Sequence, residues 1–257
     1  MDQPAVGETT PPAIEVSALR RDFTVPGRRR ERVTAVAGVD LALPAGSFTA
    51  LVGASGCGKS TLLQCVAGLD RPTAGEVRLL GTVTSTLRPR AAARFRADHV
   101  GFVFQDDNLV TALSARDNVA LPGRLRHRPL RRAEVDAALE RVRLTDRARQ
   151  LPGRMSGGER QRVAVARVLA SRPDIVLADE PTAALDVESG ARVLTWFREL
   201  AQAGTTVLLV THDAAAAASA DTVLVMAAGR VVSSLPGGDP DAVSRAVLAT
   251  RRGGGAR

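Results

Sequence analysis

The chain has 257 residues, of which 45% are hydrophobic, 24% charged and only 3% aromatic, with no tyrosine, and its formal charge is +8. That length supports a sizeable core in one large domain or two modest ones, and the apolar-to-charged balance excludes a disordered or fibrous chain. Its two cysteines, Cys57 and Cys65, are too few and too close in sequence for a disulfide framework, which fits a reducing compartment.

Residues 1–13 are Pro-rich and polar and read as a disordered leader, with neither the basic nor the apolar region of a secretion signal. Ile14 to Phe23 and Val33 to Leu43 predict strands around an arginine-bearing loop from Pro26 to Arg32. Phe48 to Val52 predicts a buried strand entering a Gly-rich turn, with a helix from Lys59 to about Gly68. Val77 to Leu80 and Val100 to Phe104 are further strand candidates. From about Leu109 to Arg172 the pattern becomes helical, most clearly over Glu134–Val142 and Glu159–Leu169. Strand and helix then alternate through Ile175–Ala178, Val187–Ala203 and Val207–Val210. Within that helix Val193, Trp196, Phe197 and Leu200 keep the spacing of one buried face, and Gly204 stops it.

Thr222–Met226 and Arg230–Ser233 predict a hairpin around Gly229, and Asp239-Pro240 opens a last helix before a loose tail over 251–257. The sum is an α/β core with a helical block inserted near its middle. The most apolar stretch, 205–228, is broken by Thr211-His212-Asp213 and by Asp221, so no run reaches the roughly 18 apolar residues of a membrane span. A cytosolic chain is expected.

The charge invites a nucleic-acid or anionic-surface partner. Of the 35 basic residues, however, a single one is lysine, Lys59. A general preference for arginine explains the scarcity of lysine and leaves the survivor's position unexplained. Position 59 calls for a compact ammonium rather than a planar fork.

Gly53-Ala54-Ser55-Gly56-Cys57-Gly58-Lys59-Ser60 matches the G-x-x-x-x-G-K-[ST] pattern between an apolar strand and a helix, the context that pattern requires. Its glycines let backbone N–H groups converge on phosphate oxygens at a helix N-terminus. Lys59 is expected to reach the β- and γ-phosphates of ATP, and Ser60 to ligate Mg²⁺. Cys57 is either a small side chain filling the turn or a thiol activated by its surroundings.

Ile175 to Glu180 is an apolar strand ending in two acids, at the edge where α/β sheets bind ligands. Asp179 is expected to hold Mg²⁺, and Glu180 to deprotonate a water in line with the γ-phosphate. Ser156 and Glu159 fit a helix capping box. A cap alone does not need Gly157 and Gly158, each costing the helix up to about 1 kcal/mol. Glycines there point to close approach by a ligand, and so to a second phosphate-binding helix start. Two such half-sites in one chain predict a homodimer with composite sites.

The ordered set Gly53–Thr61, Gln105, Ser156-Gly157-Gly158-Glu159, Asp179-Glu180, Ala184-Leu185-Asp186 and His212 resembles the ATP-binding cassette family over about Ile14 to Arg230. The resemblance implies a P-loop NTPase (RecA-like) core sheet with an N-terminal antiparallel β subdomain and an inserted α-helical signature subdomain. It implies one ATPase domain over 14–250 with the helical part at about 107–172. Gln105 is implied to touch Mg²⁺ and sense a permease, Asp186 to lie at the dimer seam, and His212 to contact the γ-phosphate. Phe23 would stack on adenine in place of the usual tyrosine, without its hydroxyl. The signature reads MSGGE rather than LSGGQ, and Ala184 replaces a serine; both are expected to tune rate.

The stretch GFVFQDDNLVTALSARDNVALP is similar to the lipoprotein-release and macrolide-exporter branch. What this implies is an ATPase subunit that dimerises around two ATP and powers a separate transmembrane permease, held by it at the inner face of the membrane, with no nucleic acid expected. The competing reading is a nucleic-acid-associated cassette of the repair or translation type, supported by the charge and by the clusters 28–32 and 124–132. A kinase-like P-loop enzyme is disfavoured by the second phosphate-binding turn.

Overall fold

The computed structural model describes residues 11–25 and 27–253. The leader expected over 1–13 therefore lies outside the described residues as far as residue 10, as does residues 254–257 of the expected tail, and of the 28–32 cluster the side chains of 28–30 lie outside too. Ala13, at the end of that expected leader, is buried and donates its N–H to Leu43 O at 2.9 Å.

Two sheets organise the chain. The first takes β1 (Ile14–Val25), β2 (Arg28–Leu43), β4 (Ala74–Leu79) and β5 (Thr82–Val83) in the order β2-β1-β4-β5, all antiparallel. The loop expected over Pro26 to Arg32 is shorter than read, because pairing of β1 with β2 continues to Val25 opposite Arg28. The second sheet has the order β10-β9-β3-β8-β7-β6. It contains β3 (Phe48–Gly53), β6 (Val100–Val103), β7 (Ile175–Asp179), β8 (Thr206–Val210), β9 (Thr222–Ala227) and β10 (Arg230–Pro236). All neighbours pair in parallel except β10, which returns antiparallel along β9.

Alternation along these central strands divides the core into two layers. Ala50, Val176, Ala178, Val207 and Leu209 face one layer, which α5 (Gly157–Ser171) and α6 (Val187–Gln202) cover. Leu51, Ile175, Leu177, Leu208 and Val210 face the other, filled by α1 (Lys59–Val66) and the antiparallel sheet. Both faces being covered, β3 and β8 are buried end to end. On α6, Val193, Trp196, Phe197 and Leu200 form the buried face the spacing predicts, and Phe197 packs edge-on to Phe48 with ring centroids 6.5 Å apart.

The inserted block comprises α3 (Ala115–Leu125), α4 (Arg132–Arg141), single 3-10 turns at Thr145–Arg147 and Pro152–Arg154, and α5, which packs on α3, α4 and β6. Fully buried Asn118 fixes its entry: Oδ1 accepts from Val110 N, while Nδ2 donates to the carbonyls of Val110, Leu113 and Ser114. Two helices escape the sequence reading. α2 (Pro89–His99) buries no residue and so carries no apolar stripe, and α7 (Ala214–Ala218) is five alanines without polar contrast. α8 (Pro240–Gly253) continues through the first residues of the expected tail. No helix among the described residues is long and apolar enough to cross a membrane.

Candidate functional site

The order of the parallel strands brings the carboxyl ends of β3, β7 and β8 to one edge, and with them three of the sequence-predicted segments. The 53–58 loop leaves β3 and turns into α1. Glycine is dictated there by proximity: a Cβ on Gly53 would lie 2.2 Å from Met226 O, and one on Gly58 would lie 2.0 Å from Ala35 O. Gly58 also sits at φ +106, a conformation that disfavours any side chain. The loop is thus clamped between β2 and the β9–β10 turn, where Gly229 N–H donates to Cys57 O at 3.0 Å and Ala37 N–H to Gly229 O at 2.8 Å. Neither wall is visible in the motif itself.

Lys59 is buried, unusual for a lysine, and its ammonium donates to Gly53 O at 2.9 Å and Ala54 O at 3.0 Å. The cation is held inside the curl of the loop. Cys57 Sγ lies 4.0 Å from Lys59 Nζ. Ser60, in the first turn of α1, donates from Oγ to Asp179 Oδ1 at 3.3 Å across to the end of β7. Burial pushes the Asp179 carboxyl above the usual range; the Ser60 hydrogen bond opposes this, the neighbouring Glu180 adds to it, and Lys59 opposes it. A buried carboxyl beside a hydroxyl offers two hard oxygen donors, the chemistry a small divalent cation takes.

Glu180 follows in a left-handed backbone conformation, φ +46, fixed by its N–H donating to Val210 O at 2.9 Å. Such a conformation costs a non-glycine residue on the order of 1–2 kcal/mol and aims the side chain away from the strand's alternation. Its carboxylate is largely buried and gripped from the end of β8. Thr211 Oγ1 donates to Oε2 at 3.0 Å, and His212 Nδ1 lies 2.7 Å from Oε1. Thr211 itself is fully buried. The sequence reading passed over Thr211, although a threonine preceding the singled-out histidine was a signal available to it.

Other predicted residues stand apart from this edge. Ser156 caps α5: its Oγ accepts from Glu159 N at 3.2 Å, and Glu159 Oε2 accepts from Ser156 N at 2.8 Å. That backbone hydrogen bond holds the Glu159 carboxyl below its ordinary value. Gly157 faces open space, its nearest foreign atom 3.9 Å from where a Cβ would stand, so packing within the chain does not require glycine. At Gly158 the nearest atoms belong to Leu185, Ala184 and Arg162. Among the described residues no hydrogen bond or ion pair joins 156–158 to the 53–61 loop. Asp186 caps α6, accepting from Ser189 N at 2.9 Å, a bond that lowers its pKa.

Gln105 is exposed just past β6, where α5 ties down the segment containing it. Gln161 Nε2 donates to Phe104 O at 3.2 Å, Arg160 Nε to Asp107 Oδ2 at 2.6 Å, and Arg167 to the carbonyls of Asp107 and Asn108. Phe23 is partly exposed on β1, with the Arg21 guanidinium 4.4 Å over its ring. Thr61 completes the first turn of α1.

A family model described as ABC transporter matches residues 36–183, more than half of the chain. The macrolide export ATP-binding/permease protein MacB of Rhodopseudomonas palustris is 43% identical over 222 residues, covering 86% of this chain and 34% of that protein. The pyoverdine export ATP-binding/permease protein PvdT of Pseudomonas syringae pv. tomato is 42% identical over 224 residues, covering 86% and 34%. The chain thus spans about a third of the length of the curated relatives it matches. Among solved structures, the dimeric post-hydrolysis state of the ATP-binding cassette MJ0796 bound to ADP and Pi superposes with a TM-score of 0.82 at 33% identity, covering 87% of this chain and 98% of that one.

Proposed function

The chain belongs to the ABC transporter family, and we propose that it is the ATP-binding and ATP-hydrolysing engine of an exporter, working as a dimer around two ATP molecules and driving a transmembrane permease. It would be held at the inner face of the membrane by that permease. The cassette is one domain over 14–250, with the helical block of 107–172 inserted in it.

The observation that carries this reading is the convergence at one sheet edge of buried Lys59, the Ser60–Asp179 pair and the clasped Glu180. In this reading Gly53 to Thr61 wrap the phosphates, and the Lys59 ammonium exchanges its carbonyl partners for phosphate oxygens. Ser60 and Asp179, with Gln105, would hold Mg²⁺, which neutralises phosphate charge. Glu180 takes a proton from the attacking water, positioned by Thr211 and His212, and His212 faces the γ-phosphate through Nε2. Phe23 stacks on the adenine.

Ser156, Gly157 and Gly158 close the partner subunit's site, with Asp186 at the seam. Open space at Gly157 supports that role, because nothing within the chain calls for glycine there. The γ-phosphate then acts as a ligand shared by two subunits and favours the closed dimer. After hydrolysis the shared charge is gone and the dimer opens. Export as the direction of transport is supported by the export proteins among the relatives.

The test is Glu180→Gln, with ATP binding and hydrolysis measured separately. Retained binding with turnover lost is the expected outcome; normal turnover would remove Glu180 from the role.

A further inference from the structure

A cleft of about 140 Å³ opens between the end of α4, the early part of α5 and α6. Its wall carries four arginines, Arg141, Arg143, Arg162 and Arg192, together with Ser189 and Trp196, and no acidic side chain. Two of the four are neutralised from outside the wall: Arg141 pairs with Glu199, and Arg192 Nη2 lies 3.1 Å from Glu188 Oε1. Arg143 and Arg162 have no carboxylate partner among the described residues. Arg162 Nε is moreover the one buried side-chain nitrogen or oxygen among the described residues without a hydrogen-bond partner. A buried donor left unpaired is costly and calls for an explanation.

Arg143 is the left-handed residue that closes α4, at φ +58, with Arg143 N–H donating to Glu140 O at 2.9 Å and Leu144 N–H to Leu139 O at 2.8 Å. This cap sets its side chain on the wall of the cleft that Arg162 also lines. Guanidinium forks match the paired oxygens of phosphate-type anions, as they do those of carboxylates. A cleft of this size has room for a small oxyanion.

We propose that this cleft binds a free tetrahedral oxyanion of the orthophosphate class, gripped by Arg143 and Arg162, with Arg192 at its edge. The site is separate from the phosphate loop, so it stands or falls independently of the ATPase reading.

The test is thermal unfolding of the full chain carrying Lys59→Ala, which disables the phosphate loop, in rising orthophosphate against chloride of equal ionic strength. A saturable rise in Tm with phosphate is expected. Adding Arg143→Gly, which suits the local backbone and keeps the fold, should raise the phosphate concentration at half-effect about tenfold or more, and Arg162→Gln should do the same. A rise that disappears with Lys59→Ala alone, that chloride reproduces, or that survives both arginine changes overturns the site. A second arm measures retention on vesicles containing phosphatidic acid. Retention that is equal for the wild type and Arg143→Gly is expected, whereas a drop specific to Arg143→Gly would reassign the cleft to a lipid headgroup and overturn the free-anion assignment.

Discussion

His212 Nδ1 lies 2.7 Å from Glu180 Oε1, while the adjacent Thr211 hydroxyl donates to the other carboxylate oxygen at 3.0 Å. Two consecutive residues leaving β8 therefore hold both oxygens of one acid at the end of β7. A carboxylate held at both oxygens is fixed in position, as a general base must be. His212→Ala should lower the hydrolysis rate at least about a hundredfold, and Thr211→Val only about tenfold, the size of one hydrogen bond to a charged acceptor. Steady-state phosphate release checks both; equal losses would mean that the two residues act only as a single structural unit.

Asp179 yields a prediction about stability. Its folded-state pKa is raised, chiefly by burial, so its charged form opposes folding at neutral pH. With a raised folded pKa, the group's favourable contribution is present below the unfolded carboxylate value and is lost as pH rises through the folded one. Asp179→Asn should therefore raise the Tm of the nucleotide-free protein at pH 7 while abolishing the extra stabilisation by ATP that depends on Mg²⁺. Differential scanning calorimetry with and without Mg²⁺ and ATP reads both effects, and a lower nucleotide-free Tm would contradict the burial argument.

The clamp around the phosphate loop distinguishes glycines that look alike in the motif. Gly58→Ala places a Cβ 2.0 Å from Ala35 O at φ +106, whereas Gly56, at φ +76, has nothing within 4 Å. Gly56→Ala should cost about 1 kcal/mol from the backbone alone, and Gly58→Ala at least about 3 kcal/mol with the clash added. Urea unfolding midpoints decide this.

The Asp107–Arg160 pair, 2.6 Å and half-buried, joins the segment after Gln105 to the helix that Ser156 caps. A double-mutant cycle with Asp107→Asn and Arg160→Gln should give a coupling of about 1 kcal/mol in stability. In the ATPase reading, each single change should also weaken stimulation by the permease while sparing basal turnover. Additive effects on stability would show that the contact carries nothing between the two segments.

Much of the site is legible in the sequence. The strands β3, β7 and β8 are buried on both faces, so each reads as an apolar run closed by a polar signal: Gly53, Asp179-Glu180 and Thr211-His212. What stayed hidden depends on contacts between distant segments. The walls of the phosphate loop come from Ala35 on β2 and from Met226 and Gly229 on the C-terminal hairpin, far from the motif in sequence. The positive φ of Glu180 leaves no trace in residue type, because the strain is imposed by its bond to Val210 O. α2 is hard to read because it buries no residue fully and packs only Phe95 against the core, which leaves no periodic apolar pattern.

The central claim is that ATP is sandwiched between Lys59 of one subunit and the Ser156 turn of its twin. Sedimentation velocity of the Glu180→Gln protein with saturating ATP tests it most directly. A dimer is expected with ATP and a monomer without, and Ser156→Arg should return the ATP-loaded protein to monomer. A protein that stays monomeric at every ATP concentration, or a dimer indifferent to Ser156→Arg, would contradict the account.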